Sequence, residues 1–134
     1  KSKEAAQAMI GKRVDLIGGG GNASNAGMIK ACEEAGIYAF GELEQQNLAP
    51  ETVIFCNMNN IENLVLQAVK DTIDGDFQGC IREYGISADV AQLTEYNSHV
   101  PQEVKDKLAE CMDQMRSGEL DIPMITEISD DIIH

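Results

Sequence analysis

Two spacings of apolar residues alternate along the chain. Ala5, Ala6, Met9 and Ile10 recur at helical intervals, and RVDLIG (13–18) then reads as a short buried strand that runs into glycines 18–21. Behind the glycines, Asn22, Ser24 or Asn25 can cap a helix whose inner face is Met28, Ile29 and Cys32 and which Gly36 stops. IYAFG (37–41) and ETVIFCNM (51–58) read as a second and a third strand. Ile61, Leu64, Val65, Ala68, Val69 and Ile73 trace a long amphipathic helix closed by DGD (74–76). Two weaker strands fit GCIREYG (79–85) and DVAQLTEY (89–96). Pro101 suits the first turn of a last helix, marked by Val104, Leu108, Cys111, Met112 and Met115 and ended by SGE (117–119). This alternation predicts an α/β fold. Strands 14–18, 37–40 and 52–56 are expected side by side and parallel, with helices 25–35 and 60–74 packed on the sheet.

Composition narrows the functional classes. With 134 residues and 43% hydrophobic content, the chain suffices for one packed core. Ten Lys and Arg against 23 Asp and Glu leave a net charge of −13, which repels phosphate backbones and anionic membrane surfaces, so no nucleic-acid partner is expected. No run approaches the roughly 20 apolar residues that span a bilayer, and KSKEAAQAMIG at the start lacks the apolar core of a secretion signal. Cys32, Cys56, Cys80 and Cys111 are too widely spaced for a redox pair or a zinc knuckle and sit within apolar patterns. They are expected as buried free thiols, with a long-range disulfide as the alternative. His99 and His134 have no partner at ligand spacing, so neither a metal nor a cofactor is expected.

The glycines carry the chemistry that remains. In open parallel sheets, ligands bind beyond the carboxyl ends of the strands, where backbone N–H groups at helix starts point outward. Gly18 to Gly21 lie at such an end, with Asn22, Ser24 and Asn25 at its mouth. Gly18, Gly20 and Ala23 also satisfy G-x-G-x-x-(G/A), and Glu42 follows at about the 20-residue distance of a dinucleotide-binding fingerprint. Four consecutive glycines meet that template easily, and the sequence shows no Ser/His/Asp or Cys/His constellation around which to build a reaction. A dinucleotide enzyme is the lesser reading, and no catalysis is expected.

Several blocks in fixed order carry a stronger signal. GNASNAGMIKACEEAGIYAFG (21–41), NLAPETV (47–53), DGDFQG (74–79), VPQEVKDKLAE (100–110) and SGELDIP (117–123) resemble the C-terminal part of the basic membrane protein family, the purine-nucleoside-receptor-like substrate-binding lipoproteins of ABC importers. The resemblance covers residues 1–123 and leaves MITEISDDIIH (124–134) as a tail. It implies a partial C-terminal lobe of a type I periplasmic-binding-protein-like fold, a three-layer parallel sheet flanked by helices. The family has a second lobe, and the ligand closes between the two.

The resemblance also implies a half-site. The family's glycine-threonine turn aligns with Asn22, Ala23, Ser24 and Asn25, and Ser24 takes the threonine's place. The family's ribose-binding aspartate falls on Leu43 and its lysine on Asn59, so Glu42 or Glu44 is the candidate substitute acid. The implied function is capture of a small polar ligand, a nucleoside or purine, for presentation to an ABC permease. The implied location of the whole protein is extracytoplasmic, on a lipid anchor. The alternative is a ligand-sensing regulatory domain of the same fold, cytoplasmic in location. A lone lobe is expected to associate with itself, exchanging the helix around Val104 to Met115.

Overall fold

A computed structural model of the chain describes residues 1–123; the tail 124–134, with His134, lies outside the described residues. The element order is α1 (Ser2–Ile10), β1 (Leu16–Gly18), α2 (Asn25–Ala35), β2 (Tyr38–Glu42), β3 (Val53–Asn59), α3 (Ile61–Asp74), β4 (Ala91–Leu93) and α4 (Gln102–Ser117). The four strands form one sheet in the order β1-β2-β3-β4. β1 pairs with β2 and β2 with β3 in parallel, as the alternation of buried runs and helices predicts. β4 pairs with β3 antiparallel, so the sheet is mixed.

Small residues make the core. Ala6, Ile17, Met28, Ile29, Ala31, Cys32, Ala39, Ala49, Val53 and Cys56 form one buried cluster between α1, α2 and the sheet. The inner face expected of α2, Met28, Ile29 and Cys32, is the one it buries, and the helix ends at Gly36 as read. Cys32 and Cys56 are fully buried and free, and burial pushes both thiols above their usual range. Cys80 is exposed and Cys111 half-buried, so the expectation of four buried cysteines holds for two.

β2 and β3 are not joined by a helix. Residues 43–52 make the crossover with one 3-10 turn over Gln45–Leu48. A bulge follows, because Ala39 pairs with Val53 while Phe40 pairs with Phe55. The bulge keeps both Val53 and Cys56 in the core, where strict alternation would bury only one of them. On the outer face the Phe40 and Phe55 rings stack at 5.5 Å, and Tyr96 meets Phe55 edge-on.

Three expectations need correction. Residues 79–85 form no strand, and of 89–96 only Ala91–Leu93 does. Thr94 and Asn97 nevertheless prolong the pairing, since their N–H groups donate to the Cys56 and Ile54 carbonyls at 2.9 Å. Helix α3 forms where expected, capped by the Asn60 side chain accepting from the Asn63 N–H at 3.2 Å, but it is not packed on the sheet. None of its residues is buried, and Ile61, Val65, Leu66, Val69 and Ile73 stand exposed. Periodicity announces that a helix has an apolar face, and does not say what covers it.

Gly18 is fixed by its neighbour. A Cβ at this position would lie 1.8 Å from Cζ of Phe40, whose ring fills the space a side chain would take. Gly18→Ala is expected to destabilise the chain by about 1–3 kcal/mol, the cost of overpacking, in chemical denaturation. Adding Phe40→Leu should recover part of the loss; a neutral Gly18→Ala would show that the ring moves aside freely.

Candidate functional site

Parallel strands present their carboxyl ends together, so the loop after β1, the turn after β2 and the end of β3 share one edge of the sheet. Gly19, Gly20 and Gly21 lead from β1 into a 3-10 turn, Asn22–Ser24, and then into α2. The turn after β2 starts at Glu42 and passes through Leu43 and Glu44 to Gln45.

Three side chains tie the loop to the turn. Glu42 Oε2 accepts from the backbone N–H groups of Gly21 at 3.1 Å and Asn22 at 3.3 Å. Asn25, 3% exposed, donates through Nδ2 to the Gly19 carbonyl at 2.9 Å and to Gln45 Oε1 at 3.1 Å. Gln45 closes the ring: its Oε1 also accepts from the Glu42 N–H at 3.1 Å, and its Nε2 donates to the Asn22 carbonyl at 3.1 Å. The Gly21 and Asn22 N–H donors are thus turned inward, onto the chain itself.

The remaining candidates are more loosely placed. Ser24 Oγ donates to the Gly21 carbonyl at 2.7 Å, a bond within the turn. Ala23 is exposed in the same turn. Leu43 is exposed with φ 54°, a left-handed conformation that leucine adopts at a cost, and its N–H donates to the Asn57 carbonyl at 2.8 Å. Glu44 is exposed. Asn59 ends β3, exposed and paired with Ala91, at the same sheet edge. Segments 19–25, 42–45 and 57–60 hold two carboxylates, Glu42 and Glu44, and neither Lys nor Arg.

Gln45 was not among the residues singled out from the sequence. The signal for it is indirect: a ten-residue crossover without a helix, 43–52, leaves backbone groups that need side-chain partners, and Gln45 is one of its few amides. Two of the amides that a dinucleotide's pyrophosphate could use at this loop, those of Gly21 and Asn22, are already taken by Glu42. Among the described residues no group of His, Cys, Asp and Glu is arranged to hold a metal, and no described helix is long and apolar enough to cross a membrane.

Sheet, helices and strand-end loops together make an α/β fold of the periplasmic-binding-protein-like class. Residues 1–126 match the family model of the PnrA-like ABC transporter substrate-binding proteins, Bmp, and the chain belongs to that family. None of the curated proteins matches the chain. Among solved structures it is similar to a transcriptional activator of the comK gene from Bacillus halodurans, with a TM-score of 0.80 and 20% identity over 87% of this chain and 42% of that one. An ABC transporter solute-binding protein from Aeropyrum pernix K1 gives a TM-score of 0.74 at 19% identity, over 97% and 45%. One from Conexibacter woesei DSM 14684 gives 0.69 at 15%, over 90% and 41%. The chain thus spans less than half the length of each of these structures.

The tie between loop and turn is measurable. Asn25→Ala is expected to cost about 1–3 kcal/mol in urea denaturation, because it removes a buried amide and strips the half-buried Gly19 carbonyl of its partner. Asn25→Ala and Gln45→Ala together should be non-additive by roughly 0.5 kcal/mol or more, as for residues of one hydrogen-bonded network. Strict additivity would mean that the two amides act independently.

Proposed function

We propose that this chain is one jaw of an extracytoplasmic ABC-importer receptor that captures a small polar ligand and presents it to a permease. The observation that carries this reading is the convergence of the glycine loop, the Glu42–Gln45 turn and the end of β3 at one sheet edge, in a chain of the PnrA-like family. Asn22, Ala23, Ser24, Asn25, Glu42, Leu43, Glu44 and Asn59 are the proposed ligand-facing half. The whole protein carries a lipid anchor in this reading, and the jaw has no chemistry of its own. Affinity in such a device comes from closure of two lobes, which removes water and completes the contacts. A nucleoside or purine is the proposed ligand, with Leu43 and Asn59 in place of the acid and the cation that usually hold the sugar.

Calorimetry of the full-length protein against purine nucleosides tests this. Nucleoside binding is expected in the full-length protein, at least about tenfold weaker in residues 1–134 alone, the equivalent of one lost charged hydrogen bond. Leu43→Asp should raise nucleoside affinity by about tenfold, and aspartate also tolerates the left-handed backbone there better than leucine. No nucleoside binding by the full-length protein would overturn the ligand class.

The regulator of similar fold favours a second reading, a ligand-sensing domain of a cytoplasmic regulator. A permease encoded beside the gene would support transport, and a DNA-binding domain in the same full-length chain would support sensing. In either reading the open apolar face of α3 gives the isolated chain a surface for self-association, alongside exchange of α4. Light scattering of residues 1–134 is expected to show dimers or larger species that Val65→Glu reduces; a monomer throughout would count against it.

A further inference from the structure

The glycine loop has the form of an anion cradle and already holds an anion. Glu42 leaves the end of β2 and places Oε2 on the N–H groups of Gly21 and Asn22. Gly20 lets it come close: a Cβ there would stand 3.1 Å from Glu42 Oε1. That second oxygen carries no hydrogen bond among the described residues and is left as an acceptor. Within the three segments at this edge no Lys or Arg offsets the charge, and Glu44 adds a further acid.

Resting on the binding reading above, the geometry points to Glu42 as the residue that makes this half-site refuse anions. A phosphate or carboxylate arriving at the loop meets amides already bonded and a like charge in the place it needs. A hydroxyl, an amine or a ring N–H meets a free carboxylate oxygen that accepts a hydrogen bond from it. The ligand taken at this edge is therefore neutral or cationic and approaches with donors. Phosphorylated forms of the same ligand are turned away. Gln45 supports the arrangement, because its Oε1 accepts from the Glu42 N–H and its Nε2 holds the Asn22 carbonyl, fixing both ends of the contact.

The test uses inorganic phosphate as the probe and the 15N-labelled 134-residue chain. In the unmutated chain the Gly21 and Asn22 amide signals are expected to stay in place as phosphate is added. In Glu42→Ala both should move saturably, and in Glu42→Gln, which keeps the shape and drops the charge, they should respond at phosphate concentrations that leave the unmutated chain unmoved. A saturable shift of these two amides in the unmutated chain would overturn the proposal, as would a Glu42→Gln spectrum as indifferent to phosphate as the unmutated one. On the full-length protein, calorimetry with a nucleoside and its 5′-monophosphate should show preference for the nucleoside, reduced about tenfold or more by Glu42→Gln. Failure of the full-length protein to bind either compound strikes the nucleoside reading and leaves the phosphate result standing by itself.

Discussion

Every peptide group at the end of a parallel strand needs a partner once its neighbours turn away. At the end of β1 and β2 this requirement is met by three side chains, Asn25, Glu42 and Gln45, rather than by a longer ladder or a helix. The crossover from β2 to β3 is short and carries no α-helix; Gln45 settles its start against the glycine loop, while Gln46 and Pro50 bond to residues 94–97 on the other side. A buried amide, a carboxylate and a second amide join the two into one body. The shape of the candidate site follows from that joining, because loop and turn cannot shift separately without orphaning a buried donor or acceptor.

The rest of the molecule is organised around a lean core. Alanines and cysteines occupy much of it, and Ile29 and Val53 are the largest side chains that are wholly buried. Small residues let α1 lie close against α2, which packs on β1 and β2, and the ion pair of Lys3 with Glu34 joins the two helices at their exposed rim. The opposite end of the chain is different in kind. Helix α3 is well capped and regular, yet it contributes no buried residue, and its apolar face stands open.

How much of this was legible depends on range. Strands β1 to β3 and helices α2 and α3 lie within three residues of where periodicity puts them, because burial of one face writes itself directly into the spacing. The direction of β4 is not written there: its three residues read alike in either orientation, and the hydrogen bonds of Thr94 and Asn97 to β3 settle it. GCIREYG has strand-like residues but no neighbour to pair with, and forms none. At the site, the glycine loop and Glu42 stood out in the sequence while their bond to each other did not. That contact joins positions 21 residues apart through a turn whose geometry depends on Gln45, a residue with no motif to mark it.

Phe40 and Gly18 bear on strand alignment as well as packing. The ring lies where a side chain at position 18 would stand, and Gly18 is the residue paired with Phe40. Sliding β2 by one residue along β1 would bring the ring against Ile17, which has a branched side chain, and would turn Ala39 out of the core. A missing side chain on one strand and a large one on the next therefore work as key and keyway. They set the alignment of two strands too short to be held by β1's three pairings alone, and with it the height at which Glu42 meets the loop.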